Sequence, residues 1–362
     1  MKKILLIVGT RPNYMKISQF KKLSAQYKNC EVRILHTGQH YDAALAQVFF
    51  DELEIKPDDV LSLSKDSSVK QMAEIMMGVE KYIQTKFQPD VVLVPGDVNS
   101  SVAAAIAANK LNIPVGHIES GLRSNDLSMP EEHNRKMIDE IASYLFVTEP
   151  SGEENLKAEK KTGQIHYVGN TMIDTIVAFQ AKIQQSMVLK DLQLSPQNYA
   201  LVTLHRPSNV DTREGLFNAV EVLKSTAEKI KVVWSVHPRT RQKLQEFDLL
   251  DSLKETNNLI ISPPQPYFSF QRLISQAKFV LTDSGGIQEE TTYYRVPCLT
   301  LRENTERPVT IDQGSNVLVG THLTSAKEAI KKVLNGAEKS GTIPRGWDGE
   351  ASKRILAVLM NG

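Results

Sequence analysis

Short apolar runs alternate with longer amphipathic segments along nearly the whole chain. Each run is rich in β-branched residues, is bounded by turn residues and is too short for a helix, so it predicts a buried strand. Apolar strands separated by helices are typical of parallel sheets that are covered on both faces. The predicted strands are residues 4–8, 32–36, 91–94, 115–118, 145–147, 165–168, 200–204, 232–236, 259–262, 279–282 and 298–301.

The amphipathic segments between these runs predict the helices that cover the sheets. They are residues 68–85, 101–111, 131–142, 152–160, 213–229, 268–276, 286–294 and 326–334, with a closing helix at 350–360. The alternation breaks after Asn170, where a helical and then a polar stretch follow, and it resumes near Asn198. We therefore expect an α/β fold of two Rossmann-like, doubly wound parallel-sheet domains, at residues 1–170 and 171–349.

Polar or glycine-rich groups follow seven of the predicted strands. In open parallel sheets, ligands bind beyond the carboxyl ends of the strands. If the two sheets present these ends to one another, all seven groups line a single cleft between the domains. The groups are Gly9-Thr10-Arg11-Pro12-Asn13-Tyr14-Met15-Lys16, Gly38-Gln39-His40, Gly96-Asp97, Glu119-Ser120-Gly121-Leu122-Arg123, His205-Arg206, His237-Pro238-Arg239 and Asp283-Ser284-Gly285-Gly286.

Two of these groups are suited to binding an anion. The Asp283–Gly286 turn opens a helix directly after a strand, where glycines and free N–H groups favour phosphate, although an ordinary helix cap is the alternative. Glu290, further along that helix, is either a ribose ligand or a surface charge. Arg11 and Lys16 bracket another helix start, and both suit a diphosphate; their alternatives are a capping arginine and a solvated lysine.

Carboxylates and a histidine at the strand ends are candidates for acid–base chemistry. Asp97 and Glu119 end buried strands, where burial can raise a carboxyl pKa toward neutrality, although Asp97 alternatively caps the next helix. Glu131 and its neighbour Glu132 are further candidates, or simply favour the dipole of a helix that begins at Pro130. His205 is either a general acid or base or a buried structural residue. His117 is interpreted as structural.

The composition excludes several classes of protein. The chain has 362 residues, with 43 basic and 42 acidic side chains and a net charge of +1. No basic domain or stripe of the kind that binds nucleic acid is present. No apolar stretch approaches the roughly 20 residues that span a membrane. Cys30 and Cys298 lack metal-ligand spacing and indicate a reducing compartment, so we expect a cytoplasmic protein without nucleic-acid or membrane partners.

Several cofactor and nucleophile motifs are missing from the sequence. It contains no G-x-G-x-x-G fingerprint and no G-x-x-x-x-G-K-[ST] phosphate loop. It contains no G-x-S-x-G nucleophile turn, and its histidines do not fall at metal-binding spacing. We therefore expect neither a nicotinamide cofactor nor a metal, and neither a serine nor a zinc hydrolase.

The ordered series of motifs resembles the non-hydrolysing UDP-N-acetylglucosamine 2-epimerases nearly from end to end. The motifs that carry the resemblance are Gly9-Thr10-Arg11-Pro12, Gly38-Gln39-His40, Gly96-Asp97, Gly116-His117-Ile118-Glu119-Ser120-Gly121-Leu122-Arg123, Met129-Pro130-Glu131-Glu132-His133-Asn134-Arg135, Thr203-Leu204-His205-Arg206, Thr282-Asp283-Ser284-Gly285-Gly286-Ile287-Gln288-Glu289-Glu290 and Thr305-Glu306-Arg307-Pro308. The resemblance implies a GT-B type fold whose closing helix, residues 350–362, returns to the first domain. It also implies a homodimer.

The activity that the resemblance implies is inversion at carbon 2 of UDP-N-acetylglucosamine, giving UDP-N-acetylmannosamine for cell-surface polysaccharides. Members of the family eliminate UDP to form a 2-acetamidoglucal and then add UDP back, without a cofactor. The catalytic residues carried over by motif are Asp97, Glu119, Glu131 and His205. The UDP-binding residues carried over are Arg11, Lys16, His237, Phe270, Ser284, Gly285, Gly286, Glu290 and Arg307, with Phe270 near the base. Which residue takes the proton stays open.

Some positions depart from the family pattern. Asn13 stands where a glutamate is usual, Asp42 stands where substrate-activated members commonly have glutamine, and the loop before Pro130 lacks a common Pro-Trp pair. Allosteric activation and sugar specificity are therefore open. The alternatives are an epimerase of a diacetamido uronic acid, a hydrolysing epimerase, a GT-B glycosyltransferase, and a non-catalytic UDP-sugar sensor.

Overall fold

The computed structural model describes residues 1–39, 43–64 and 66–361, and for residues 43–47 the backbone alone. The motif residue His40 and the departure at Asp42 lie outside the described residues. The chain forms two compact units. The first comprises Met1–Phe179 and the closing segment from Arg345, and the second comprises Gln180–Pro344. Residues 171–179 and 345–349, assigned to the second domain from the sequence, thus lie in the first unit.

The first unit is built on a seven-stranded parallel sheet in the order β3-β2-β1-β4-β5-β6-β7. Its strands are β1 (Lys2–Val8), β2 (Cys30–His36), β3 (Asp59–Val60), β4 (Val91–Pro95), β5 (Val115–Ser120), β6 (Tyr144–Val147) and β7 (Gln164–Tyr167). The strand order reverses between β1 and β4. In open α/β sheets, ligands bind at such a switch point, beyond the carboxyl ends of the strands, and the loops after β1 and β4 begin there.

The helices of the first unit cover both faces of its sheet. They are α1 (Arg11–Ile17), α2 (Phe20–Ser24), α3 (Ala43–Leu53), α4 (Ser68–Thr85), α5 (Asn99–Lys110), α6 (Pro130–Ile141), α7 (Pro150–Ala158), α8 (Thr171–Ala178) and α19 (Ala351–Asn361). The alanines of α5 let it approach the sheet closely, since Ala103, Ala104 and Ala105 are fully buried. A Cβ on Gly9 would lie 2.0 Å from Ser100 Oγ, so the end of β1 needs a glycine there.

The closing helix α19 packs within the first unit, against α2 and α8. Asp174 of α8 caps it, because its carboxylate accepts hydrogen bonds from the N–H groups of Ala351 at 3.0 Å and Ser352 at 2.6 Å. Just before the helix, buried Trp347 donates from Nε1 to the carbonyl of Thr148 at 3.0 Å. These contacts return the closing segment to the first unit, as the resemblance implies.

The second unit repeats the same topology with six parallel strands, in the order β10-β9-β8-β11-β12-β13. Its strands are β8 (Tyr199–Thr203), β9 (Lys231–Ser235), β10 (Leu259–Ser262), β11 (Phe279–Thr282), β12 (Cys298–Thr300) and β13 (Asn316–Leu318). Its helices are α9 (Gln180–Gln185), α10 (Val188–Asp191), α11 (Pro207–Val210), α12 (Arg213–Ala227), α13 (Pro238–Glu246), α14 (Leu250–Lys254), α15 (Tyr267–Gln276), α16 (Gly285–Tyr294), α17 (Pro308–Asp312) and α18 (Leu323–Leu334). Here the switch point lies between β8 and β11.

The predicted fold class, two parallel-sheet Rossmann-like domains, is confirmed, and all eleven predicted strands are present. Two strands were missed, β3 with two residues and β13 with three. Both lie at an edge of their sheet and are only two and three residues long, so neither gives a strong strand pattern in the sequence. No helix in the described part of the chain is long and apolar enough to cross a membrane.

Candidate active site

The loop after β1 is organised by Asn13, the residue that departs from the family pattern. Its Oδ1 accepts hydrogen bonds from the N–H groups of Gly9 and Thr10, both at 3.1 Å, and so caps α1. Its Nδ2 donates to the carbonyl of Pro95 at the end of β4, also at 3.1 Å. One amide therefore joins the two strands that flank the switch point, and a carboxylate could not make the second bond. Beside it, exposed Arg11 stacks on Phe49, 5.1 Å from the ring centre.

Lys16 and Glu119 form a buried ion pair, although they were predicted for different roles. Lys16 Nζ lies 2.5 Å from Glu119 Oε2, and both side chains are at most 7% exposed. A Cβ on Gly96, where φ is +64°, would lie 2.8 Å from the ammonium, so this glycine makes room for it. The structure thus brings Lys16, Glu119 and the Gly96-Asp97 turn together. The contact between Lys16 and a diphosphate stays a prediction.

Glu119 has a backbone conformation that few non-glycine residues adopt. Its φ is +76°, and the pairing of β5 with β6 shifts register between Ile118 and Ser120. Such a conformation costs of order 1–3 kcal/mol and persists only where the surroundings enforce it. Strain of this kind is concentrated at functional sites, which supports the prediction that Glu119 takes part in the chemistry.

Asp97 is held by helix α6. Arg135 forms an ion pair with its carboxylate, and Asn134 donates to its carbonyl at 2.8 Å. The side chain keeps 23% exposure, so it is partly open to solvent. The following helix α5 has Val98 at its N-cap, and Gln39 Oε1 accepts from the Ser100 N–H at 2.9 Å. Gln39, from the Gly38-Gln39-His40 motif, therefore caps α5, which was the alternative role predicted for Asp97.

The two neighbouring glutamates of α6 have different environments. Glu131, predicted as catalytic, is exposed in the first turn. Glu132 is fully buried and accepts hydrogen bonds from Ser124, from both its N–H and its hydroxyl at 2.9 Å, and from Arg135. Burial opposes ionisation of Glu132, but these bonds outweigh it and hold the pKa of its carboxyl below the ordinary value. A catalytic role for Glu131 stays a prediction, and Glu132 organises the loop before α6.

Sequence reasoning assigned no role to three residues of α6. Asn134 and Arg135 contact Asp97, and Asp139 contacts His117 and Arg123. The helix buries polar residues at positions 132, 135 and 139. This i, i+3, i+7 spacing places them on one face of a helix, the face that normally carries apolar residues. A buried polar stripe of this kind was the available signal.

In the second unit, Asp283 lies at the switch point and orients His205. Asp283 is fully buried and accepts from the N–H groups of His205 and Arg206, at 3.0 and 2.9 Å to Oδ2, and from Asn209 Nδ2 at 3.0 Å. His205 Nδ1 lies 2.8 Å from Asp283 Oδ1, and its side chain is 49% exposed. This arrangement leaves Nε2 of His205 available to transfer a proton.

Asp283 is ionised in this setting. Burial raises the pKa of its carboxyl, but the hydrogen bond and charge of His205, with the bonds from Asn209 and Arg206, outweigh burial and leave the pKa below the ordinary value. The turn that contains Asp283 was predicted to bind phosphate or to cap a helix, and Ser284 of that turn lies at the N-cap of α16.

The buried side chain of Arg307 lies beside the glycines in the first turn of α16. A Cβ on Gly285 would lie 2.6 Å from both Arg307 Nη1 and Glu306 Oε1, so a side chain at this position would displace the ion pair. Arg307 forms ion pairs with Glu306 at 2.5 Å and Glu289 at 3.0 Å, and Arg302 pairs with the other oxygen of Glu306 at 2.8 Å. A fixed guanidinium beside a helix N-terminus suits a diphosphate.

The remaining predicted UDP ligands also lie in the second unit. Glu290 is 5% exposed, so it is not a solvated surface charge. Exposed His237 is the N-cap of α13, and its Nδ1 accepts from the N–H of Arg239 at 3.3 Å. Phe270 is partly buried in α15 against the core that contains Tyr199. Gly286 occupies the first turn of α16. Their contacts with UDP stay predictions.

No group of three or more His, Cys, Asp or Glu side chains is arranged to hold a metal ion within residues 1–39, 43–64 and 66–361. Lysine and arginine side chains near the candidate residues could act on an anionic ligand in each unit. Arg11, Lys16 and Arg135 lie in the first unit, and Arg302 and Arg307 in the second.

Known proteins of one family match the whole chain. A model of the family described as UDP-N-acetylglucosamine 2-epimerase matches residues 21–360. The UDP-N-acetylglucosamine 2-epimerase of Methanocaldococcus jannaschii is 38% identical over 367 residues, which cover 99% of each protein. The UDP-2,3-diacetamido-2,3-dideoxy-D-glucuronate 2-epimerase of Pseudomonas aeruginosa is 35% identical over 366 residues, again 99% of each.

The fold matches as fully as the sequence does. A crystal structure of the Methanocaldococcus jannaschii enzyme in complex with UDP-GlcNAc and UDP has a TM-score of 0.90 at 38% identity, covering 99% of this chain and 100% of that one. The resemblance stated from the motifs is thereby confirmed. The chain belongs to the UDP-N-acetylglucosamine 2-epimerase family.

Proposed function

We propose that this protein inverts carbon 2 of UDP-N-acetylglucosamine to give UDP-N-acetylmannosamine, by eliminating UDP, adding it back to carbon 1 and returning a proton to the opposite face of carbon 2. The observation that carries the proposal is the pairing of carboxylates with buried cations in the first unit. Glu119 is bound by Lys16 and Asp97 by Arg135, at the ends of neighbouring strands β5 and β4. Full-length relatives that bear the epimerase name support the same reaction.

The first chemical demand is removal of a weakly acidic proton from carbon. A positioned general base typically contributes about 10²- to 10⁴-fold. Asp97 and Glu119 are the candidates, because each is fixed by a cation at a strand end. Elimination and re-addition also need a base and an acid that exchange roles, which two carboxylates satisfy.

The second demand is stabilisation of the departing UDP as charge develops on its diphosphate. Preorganised cations and helix N-termini supply this most effectively, since they need no rearrangement during the reaction. Arg307, held by Glu289 and Glu306 above Gly285, meets this description in the second unit. We infer that His205, whose Nδ1 lies 2.8 Å from Asp283 Oδ1, donates a proton from Nε2.

A second candidate substrate is a UDP-linked diacetamido uronic acid. The observation that favours it is the full-length match to the Pseudomonas aeruginosa epimerase of that class. The two substrates differ by a carboxylate and an acetamido group on the sugar. Turnover of each as sole substrate, compared by kcat/KM, distinguishes the two candidates.

We also infer a homodimer and a cytoplasmic location. The family resemblance implies a homodimer, and helix α4 exposes two large apolar side chains, Val69 at 80% and Met77 at 61%. Cys30 and Cys298 are both free thiols, as expected in a reducing compartment. Light scattering of the purified protein measures the oligomeric state, and a monomer at micromolar concentration would refute the dimer.

The reaction is tested by incubation with UDP-N-acetylglucosamine in heavy water without added cofactor. The expected result is deuterium at carbon 2, with both epimers recovered as UDP conjugates. Recovery of free N-acetylmannosamine alone would instead identify a hydrolysing enzyme. Binding of the UDP sugar without any exchange at carbon 2 would identify a sensor.

A further inference from the structure

The buried histidine of β5 has a hydrogen-bond acceptor at each ring nitrogen. His117 is fully buried, with Nδ1 at 2.6 Å from Asp139 Oδ1 and Nε2 at 3.0 Å from the carbonyl oxygen of Gly96. A carbonyl oxygen can only accept a hydrogen bond. A neutral imidazole has one N–H donor and one lone pair, so it satisfies only one of these two contacts.

The partner Asp139 is itself surrounded by donors. Its Oδ2 accepts from the N–H of Gly121 at 3.1 Å and pairs with Arg123 Nη1 at 2.7 Å. The ion pair with Arg123 and the bond from the Gly121 N–H both favour the ionised carboxylate. Asp139 is therefore an acceptor toward Nδ1, and both nitrogens of His117 have to donate.

We propose that His117 is an imidazolium that positions Asp97 by clamping the Gly96 peptide. The carbonyl of Gly96 belongs to the peptide group that begins Asp97, and it accepts from His117 Nε2. The N–H of Gly96 donates to the carbonyl of Ile118 at 2.9 Å, so this turn with φ +64° is held on both sides by β5. The inference rests on the proposed function, in which Asp97 handles a proton.

Helix α6 holds both His117 and the residue that His117 positions, Asp97. Asp139 of α6 orients His117, while Arg135 and Asn134 of the same helix hold Asp97. A displacement of about 1 Å at a catalytic group can lower the rate by about 10²-fold. His117 is thus a positioning residue, which acts on Asp97 through the backbone.

The protonation state is tested directly by a neutron structure of the deuterated wild-type protein at neutral pH. The expected result is deuterium on both Nδ1 and Nε2 of His117. Deuterium on only one nitrogen would overturn the imidazolium. This measurement requires no variant and no turnover, so it decides the protonation state even if the proposed reaction fails.

The positioning role is tested by two isosteric substitutions. In His117→Asn the amide replaces Nδ1 and keeps the contact with Asp139, whereas in His117→Gln it replaces Nε2 and keeps the donor to Gly96. We expect His117→Asn to lower kcat by about 10²-fold with little change in KM, and His117→Gln to restore part of that loss. Wild-type kcat in His117→Asn, or no advantage of His117→Gln, would refute the clamp. Circular dichroism confirms that each variant is folded.

Discussion

At the scale of single residues, the candidate site depends on charges that are removed from water in pairs. Lys16 and Glu119 are each at most 7% exposed and lie 2.5 Å apart. Breaking such a pair leaves the other charge buried without compensation, which is far more costly than losing a surface salt bridge. The ion pair therefore contributes to the stability of the fold, and the same two residues are candidates for the functional site.

Glu119→Gln tests the chemical role. The amide keeps the size of the side chain but cannot take a proton from carbon, so we expect kcat to fall by about 10²- to 10⁴-fold. Binding of UDP, measured by calorimetry, is expected to stay close to wild type. Glu80→Gln, at an exposed position of α4, is the matched control. Substantial turnover in Glu119→Gln would exclude this carboxylate as the acid or base.

Lys16→Met tests the ion pair. We expect it to lower the free energy of unfolding by about 3–5 kcal/mol, because Glu119 is left buried and unpaired. The double variant Lys16→Met/Glu119→Gln should be destabilised by less than the sum of the single changes, with a coupling of about 0.5–3 kcal/mol. Urea denaturation of the four proteins gives the coupling. Additive effects would show that the two charges do not depend on one another.

At the scale of elements, helix caps decide where segments dock. Asp174 of α8 is 2% exposed and caps α19. Burial raises the pKa of its carboxyl from 3.8 to about 6, although the bonds from Ser352 and Ala351 favour the ionised form. At neutral pH the ionised carboxylate of Asp174 therefore has a desolvation cost. Its hydrogen bonds to the first N–H groups of α19 offset part of that cost.

This cap makes stability depend on pH. Because the folded state binds the proton of Asp174 more tightly than the unfolded state does, its favourable contribution is complete below pH 3.8 and is lost as pH rises through about 6. Relative to Asp174→Asn, we expect the wild type to lose on the order of 3 kcal/mol of unfolding free energy across that window. Denaturation at pH 4.5, 5.5 and 7 measures the difference. Parallel pH profiles would contradict it.

At the scale of the whole molecule, one topology is used twice. Each sheet reverses its strand order beside its first strand, between β1 and β4 and between β8 and β11. The candidate groups follow these strands, with Asn13 and Asp97 in one unit and His205 and Ser284 in the other. The chain enters the second unit at Gln180 and returns to the first at Arg345. Each unit accordingly has a core and caps of its own.

Local caps should affect only the unit that contains them. Asp174→Ala removes the cap of α19 and is expected to cost about 0.5–2 kcal/mol, as is Thr212→Ala, whose hydroxyl caps α12 in the second unit. Hydrogen exchange by mass spectrometry should show faster exchange in first-unit peptides for Asp174→Ala and in second-unit peptides for Thr212→Ala. Equal acceleration in both units for either variant would mean that the units unfold together.

The sequence by itself determined that there are two α/β domains and which strands are followed by candidate functional residues. Both signals are local, since burial of a strand shows in consecutive apolar residues and a ligand loop shows in the glycines and polar residues that follow it. The ordered motifs then identified the family, and the full-length match confirmed it.

Only the tertiary structure decided which of these groups belong together. Lys16 meets Glu119 because β1 and β5 flank β4 in the same sheet, and His117 meets Asp139 because α6 packs beside β5. The rotation of α6 likewise buries Glu132 and exposes Glu131, although the two are adjacent in sequence. These ion pairs and hydrogen bonds join residues that are far apart in sequence. No local pattern of residues predicts which of them come within contact distance.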